Sequence, residues 1–351
     1  MQPQIAGFVL MVLGLLAGSI AQPRKAIPCY FIFGDSLVDS GNNNDLQSTG
    51  KVKYLPYGID FPEGPTGRYT NGRTAADYLG EKMGFKDFIK PYTRVNTSEL
   101  LEGANYASGY AGIQDETGQH VGARVTLTKQ LQNFGSTVSR LGDLLGSKAS
   151  AVEHVGECLF LLVVGSNDYI NNYYLPQLYK TSSRYTPKEY ATHLLSHYTK
   201  TIENLYKQGA RKFAIAAVPP IGCTPNATAT YQTKGAICVG EMNEAAELFN
   251  HELESLILEM GRSLSGSKLV FLNVYKLMFD IVASLAGWGK EIVEWLVDAC
   301  CELKSNALCK ESKNACPNRQ NMLFWDGTHP SDAWNKVVAD YMFLTVQTVL
   351  I

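Results

Sequence analysis

Apolar positions recur along this chain in five short runs, at 29–33, 103–107, 159–164, 213–218 and 269–274. The runs at 159–164 and 213–218 are almost continuous rather than alternating, which predicts strands covered on both faces. Between the runs the apolar spacing changes to that of helices, at 74–83, 127–145, 186–209, 240–261, 275–285 and 331–349. The clearest helix start is Thr186-Pro187-Lys188-Glu189, which offers an N-cap, a first-turn proline and a capping-box glutamate. Strand and helix alternation of this kind predicts an α/β fold, a mainly parallel sheet with helices on both faces. Neither a low-complexity linker nor a repeat of fixed period interrupts it, so residues 22–351 are expected to form one domain. In such sheets ligands bind beyond the carboxyl ends of the strands, and that is where chemistry is to be sought.

The N-terminus reads differently. Gly7 to Ala21 is an apolar and small-residue run of about fifteen positions, too short for a comfortable membrane span. With Ser19 and Ala21 at suitable positions before a cleavage site, residues 1–21 are expected to be a signal peptide, although no Lys or Arg precedes the run. No later stretch is long and apolar enough to cross a bilayer. The formal charge of −2 leaves no basic face for nucleic acid. Eight cysteines behind a secretion signal favour disulfides. Cys223 and Cys238 bracket a polar loop, and Cys300, Cys301, Cys309 and Cys316 crowd a weakly periodic segment. Adjacent Cys300 and Cys301 should each pair elsewhere, while Cys29 and Cys158 fit either a bridge or buried thiols. Zinc in the late cluster is disfavoured because no CxxC pair is present. Asn96 and Asn226 begin sequences of glycosylation form, which suits a secreted, extracellular chain.

Four short strings carry chemistry: Gly34-Asp35-Ser36, Ser108-Gly109, Gly165-Ser166-Asn167-Asp168 and Asp326-Gly327-Thr328-His329. The first three follow predicted strands and the fourth precedes the last predicted helix, so all four are expected at one edge of the sheet. A serine hydroxyl is a weak nucleophile until a base takes its proton, and a carboxylate that fixes the base's tautomer improves it. Asp326 and His329 can supply that pair from one turn, with Ser36 as nucleophile. Backbone N–H groups of Ser36 and Gly109, with the Asn167 amide, suit an oxyanion hole. Asp35, beside the nucleophile, is expected to shape the turn rather than to act.

The longer string from Phe31 to Asn44, FIFGDSLVDSGNNN, resembles the first block of the plant GDSL-motif esterases and lipases of the SGNH hydrolase superfamily. Residues 56–62 and 64–68 are similar to that family's early loop. Asn105-Tyr106-Ala107-Ser108-Gly109 is similar to its second block, Val164-Gly165-Ser166-Asn167-Asp168-Tyr169 to its third and Asp326-Gly327-Thr328-His329-Pro330 to its fifth. The resemblance spans nearly the whole mature chain. It implies Ser36, His329 and Asp326 as a triad, Ser36, Gly109 and Asn167 as oxyanion donors, and a flavodoxin-like three-layer α/β/α fold with a five-stranded sheet. It further implies a cofactor-independent hydrolase of carboxylic esters, on lipid, cutin-type or wall-polysaccharide substrates. An acyltransferase and a non-catalytic binding protein on the same scaffold are the alternatives. Tyr110 departs from the resemblance, since many relatives have a small residue there. The absence of GxSxG around Ser36 argues against the nucleophile elbow of α/β-hydrolases.

Other candidates have plainer readings. His193 and His197 lie four apart, but Leu194 stands where a zinc protease needs Glu, so they read as a helix face. Tyr169, Tyr173 and Tyr174 could line a groove or cover the sheet. Lys51 and Lys53 read as solvated loop charge.

Overall fold

The computed structural model describes residues 25–231, 236–285 and 298–350. The expected signal segment, 1–21, lies outside them.

Five strands form one parallel sheet: β1 (Tyr30–Gly34), β2 (Gly103–Asn105), β3 (Leu159–Val163), β4 (Lys212–Ala216) and β5 (Lys268–Leu272). Their order is β2-β1-β3-β4-β5, with Tyr30 in register with Gly103 on one side and Leu159 on the other. Every residue of β1 and β3 is buried, which explains why these runs are continuous in apolar residues rather than alternating. Edge strand β5 is half exposed. The order reverses between β1 and β3, and the loops leaving these two neighbours diverge to opposite faces, opening a crevice at their carboxyl ends.

The main helices are α1 (Ala75–Lys82), α2 (Leu127–Leu145), α3 (Lys148–Gly156), α4 (Pro187–Lys207), α5 (Gly240–Ser263), α6 (Val274–Leu285) and α7 (Asp332–Leu350). α1 packs against α7, whereas α2, α4 and α5 pack in sequence, and β5 touches both α5 and α7. The helices therefore form two layers, and the fold is a three-layer α/β/α sandwich.

Local signals account for the boundaries. Thr186 and Glu189 make the expected reciprocal capping box on α4, and Thr74 and Asp77 make another on α1. The α3 helix escapes the sequence pattern because only Ala151 and Val155 of its nine residues are buried, too sparse a stripe to show. At the centre, Phe33 stacks on Tyr106 with ring centroids 4.9 Å apart, and Phe31 meets Phe134 edge-on at 5.2 Å.

Four disulfides join Cys29–Cys158, Cys223–Cys238, Cys300–Cys316 and Cys301–Cys309. The late cysteines thus pair locally and the adjacent two bond outward, as expected. Cys29–Cys158 bridges the residues that lead into β1 and β3.

Candidate active site

β1 ends at Gly34, whose φ of +151° and tight approach leave no room for a side chain: a Cβ there would lie 2.1 Å from the Val163 carbonyl oxygen. Glycine lets the chain turn off the sheet at once. The Asp35 N–H still bonds the Val163 carbonyl at 3.0 Å, and the Asp35 carboxylate accepts the Leu37 N–H at 3.0 Å. This turn presents Ser36 at the crevice.

His329 reaches the same point from the loop before α7. Its Nε2 lies 2.8 Å from Ser36 Oγ, and its Nδ1 lies 2.9 and 2.8 Å from the two Asp326 oxygens. Asp326 is wholly buried and accepts the Thr328 and His329 N–H groups, each at 2.8 Å, besides the imidazole. The Tyr57 hydroxyl donates to Asp326 Oδ2 at 2.6 Å and accepts the Cys309 N–H at 2.9 Å. Burial first, then the Asp326 charge, hold the Tyr57 phenol well above its ordinary pKa, so it remains a donor. Tyr57 and the brace it receives from the Cys301–Cys309 loop were not legible in the sequence, because nothing local marks a tyrosine that meets its partner 269 positions away. The Tyr69 ring packs on His329 at 4.9 Å between centroids.

The candidate donors separate. Ser36 N–H has no protein acceptor among the described residues and is free to face the crevice. Asn167 is fixed from both ends: its Oδ1 accepts Asn171 Nδ2 at 2.7 Å, and its Nδ2 donates to the Ala111 carbonyl at 2.9 Å. That leaves the second amide hydrogen of Asn167 uncommitted. Gly109 is placed otherwise than the sequence suggests. Its N–H is given to Asp39 Oδ2 at 3.0 Å, and a Cβ on it would lie 1.9 Å from the Tyr69 hydroxyl. The next residue, Tyr110, lines the crevice, has a φ of +65°, and its N–H finds no acceptor among the described residues. Gly109 is a packing glycine here, and the uncommitted peptide N–H is one residue further on.

The loops are tied together by buried polar side chains. Asp39 accepts Gly41 N–H at 2.7 Å and Asn42 N–H at 2.8 Å besides that of Gly109. Asn42 Nδ2 donates at 2.8 Å to the carbonyls of both Asn105 and Ala107, and Asn43 Nδ2 donates to Gly109 O at 3.0 Å. Asp168 accepts Ile113 N–H at 2.7 Å, Gln114 N–H at 3.0 Å and Thr117 Oγ1 at 2.8 Å. Burial raises the Asp39 and Asp168 carboxyls to about 6 in spite of these bonds. Asp35, whose Oδ2 has no partner, is raised by burial to about 7.

Around Ser36 lies a crevice of about 310 Å³, with His329, Asn167 and Asn226 among its polar lining and Leu37, Ile170, Leu175 and Leu178 among its apolar lining. Leu178 stands 53% exposed at its rim. The tyrosines expected either to line a groove or to cover the sheet divide. Tyr169 and Tyr173 are buried, with Tyr173 stacked on Tyr190 at 5.2 Å, and Tyr174 donates to the Glu241 carbonyl. Asn96 is exposed on a loop, whereas Asn226 forms part of the crevice wall. His193 stacks on Tyr185 at 4.9 Å and meets His197 edge-on at 5.0 Å between ring centroids. Among the described residues one trio is close enough to hold a metal, Cys29, His154 and Cys158, but both thiols are consumed in their disulfide. No described helix is long and apolar enough to cross a membrane.

Residues 30–342 match the GDSL-like lipase/acylhydrolase family. Two Arabidopsis thaliana proteins named GDSL esterase/lipase are similar over most of their length. One is 42% identical over 94% of this chain and 90% of its own, the other 41% identical over 93% and 91%.

Proposed function

This chain belongs to the GDSL-like lipase/acylhydrolase family and is a serine hydrolase of carboxylic esters, and we propose that Ser36, His329 and Asp326 are its catalytic triad. The observation that carries this reading is the unbroken line from Asp326 through His329 to Ser36 Oγ, all three buried and each link at 2.9 Å or less. In the proposed reaction Ser36 Oγ attacks the ester carbonyl while His329 Nε2 takes its proton. The carbon–oxygen bond to the alcohol then breaks, and the same proton passes to the leaving alkoxide. Water, deprotonated by His329, attacks the acyl-enzyme, releasing the carboxylic acid and restoring Ser36. Asp326 holds the imidazole tautomer and stabilises its cation, and Tyr57 holds Asp326.

The tetrahedral oxyanion is assigned to Ser36 N–H and the free Asn167 amide hydrogen. The Tyr110 N–H takes the third place for which the sequence suggested Gly109. A residue with a side chain at that left-handed position costs some backbone energy, and the site tolerates it because the loop on either side is pinned by Asp39 and Asp168. Steady-state hydrolysis of p-nitrophenyl esters tests the reading. The proposal expects turnover that vanishes in Ser36→Ala and in His329→Ala, with acid rather than transferred ester as the product when a competing alcohol is present. Turnover unchanged in Ser36→Ala would remove it.

The same proposal takes residues 1–21 as a cleaved signal peptide and 22–351 as one domain. It places the mature chain outside the cell, with four disulfides as support, and expects a glycan on the exposed Asn96. Asn226, in the crevice wall, is the second acceptor in form, and a glycan there would stand at the mouth of the site.

A further inference from the structure

The segment that precedes the acid–base turn contains a small closed ring. A disulfide joins Cys301 to Cys309, and inside it the chain folds back on itself, with the Lys304 N–H bonded to Leu308 O at 2.7 Å and the Ala307 N–H to Lys304 O at 3.0 Å. The ring meets the site at three points. Its tip, Ser305, Asn306 and Ala307, lines the crevice. Ala307 O accepts the N–H of Gly327, which lies between Asp326 and His329, at 2.9 Å, and a Cβ on Gly327 would come 2.6 Å from that of Ala307. The Cys309 peptide is held on both sides: its N–H donates to the Tyr57 hydroxyl at 2.9 Å, and its carbonyl accepts the Tyr54 hydroxyl at 2.8 Å. A hydroxyl that accepts one N–H must turn its own hydrogen elsewhere, and the acceptor at hand is Asp326 Oδ2, 2.6 Å away. The Cys309 N–H thus aims the Tyr57 hydrogen at the carboxylate.

On the reading of Asp326 as the third member of the triad, we propose that this ring is a positioning element of the catalytic site and that turnover depends on its disulfide being closed. Between the two cysteines only Leu303, Ala307 and Leu308 are apolar, too few to fix the segment by burial, so the cross-link holds it. With the ring open, Cys309 no longer presents its N–H at a fixed point and the Tyr57 hydroxyl is free to turn. Asp326 Oδ2, which also faces His329 Nδ1 at 2.8 Å, then loses the donor that holds it in place. The loops that follow β1 and β3 keep their own bonds to Asp39 and Asp168, so the loss falls on turnover more than on binding. Cys301 is half-buried and Cys309 buried, which leaves the first sulfur as the point of attack. Exchange with a dithiol leaves thiols at Cys301 and Cys309 and closes the dithiol to its own disulfide, two electrons and two protons passing to the protein.

The test is a cycle of three variants of the mature protein: Tyr57→Phe, Cys301→Ser with Cys309→Ser, and all three changes together, with kcat and KM measured on p-nitrophenyl butyrate. Each of the first two is expected to lower kcat by roughly tenfold or more with KM within about twofold, since a bond to a charged group is at stake. Ring and tyrosine act in one line, so the triple variant should be slower than the slower of the two by no more than about a factor of two. Losses that multiply, or a Tyr57→Phe variant as fast as the wild type, overturn the proposal. Should the serine variant not fold, dithiothreitol followed by iodoacetamide opens the ring in the wild-type protein, and mass spectrometry maps the modified cysteines. Turnover should fall in step with modification of Cys301, and turnover retained at full modification overturns the proposal. Asp326→Asn separates the ring from the triad. An inactive Asp326→Asn beside a normal Tyr57→Phe overturns the ring and spares the triad, whereas normal turnover in Asp326→Asn overturns the triad and the ring with it.

Discussion

The crevice at Ser36 has two walls built on different principles. On the β1–β3 side, Asp39, Asn42, Asn43 and Asp168 are buried polar residues whose bonds run to backbone groups of neighbouring loops. On the side that follows β4, Pro219 and Ile221, with Leu37, offer shape and carbon. Directional bonds fix positions to within fractions of an ångström, which charge-stabilising donors require; apolar contacts fix only volume, which is enough to admit or refuse a chain. The polar wall should therefore govern turnover and the apolar wall selectivity.

The largest effect should come from the line of proton transfer itself. Ser36→Ala and His329→Ala are each expected to lower kcat by about 10⁴-fold or more with the melting transition retained, checked by steady-state kinetics and calorimetry. Next, Asn167→Ala should lower kcat by roughly a hundredfold with KM little changed. Asn171→Ala removes only the bond that aims the Asn167 amide, and about a tenfold loss of kcat is expected, again without a matching change in KM. An equal loss in kcat and a rise in KM for either variant would instead mean a damaged crevice.

Smaller, and confined to the polar wall, is a dependence of stability on pH. Folding raises Asp35 to about 7 and Asp39 and Asp168 to about 6, all above the ordinary 3.8. In the interval between, the native state keeps protons that the unfolded chain has released. These groups therefore contribute stability that is complete below about pH 4 and is lost as the pH rises through 6 to 7. The melting temperature should fall from pH 5 to pH 8, and Asp35→Asn should flatten the upper part of that fall. A melting temperature that rises over the same interval would show that the buried carboxyls are ionised in the native state.

The architecture was legible because β1, β3 and β4 are covered on both faces and so are written as unbroken apolar runs, and because Thr74 and Thr186 mark helix starts with local chemistry. Helix α3 was not, since two buried residues do not make a visible stripe. Ser36, Asn167, Asp326 and His329 stood out as short strings next to predicted strand or helix ends, and the fold does gather them. Gly109 shows where that reasoning stops. A glycine after a strand can serve close packing or donate its N–H, and only the position of the Tyr69 hydroxyl and of Asp39 tells which. Tyr57 was hidden for a related reason: its place depends on residues more than two hundred positions away meeting it in space.

The central claim is that Ser36 is activated by His329. The direct measurement is to expose the purified mature protein to a fluorophosphonate probe and map the modified residue by mass spectrometry, with His329→Ala and Ser36→Ala alongside. The account expects one modified residue, Ser36, and no modification in either variant. Folded wild-type protein that stays unmodified, or modification at Ser36 that survives in His329→Ala, would contradict it.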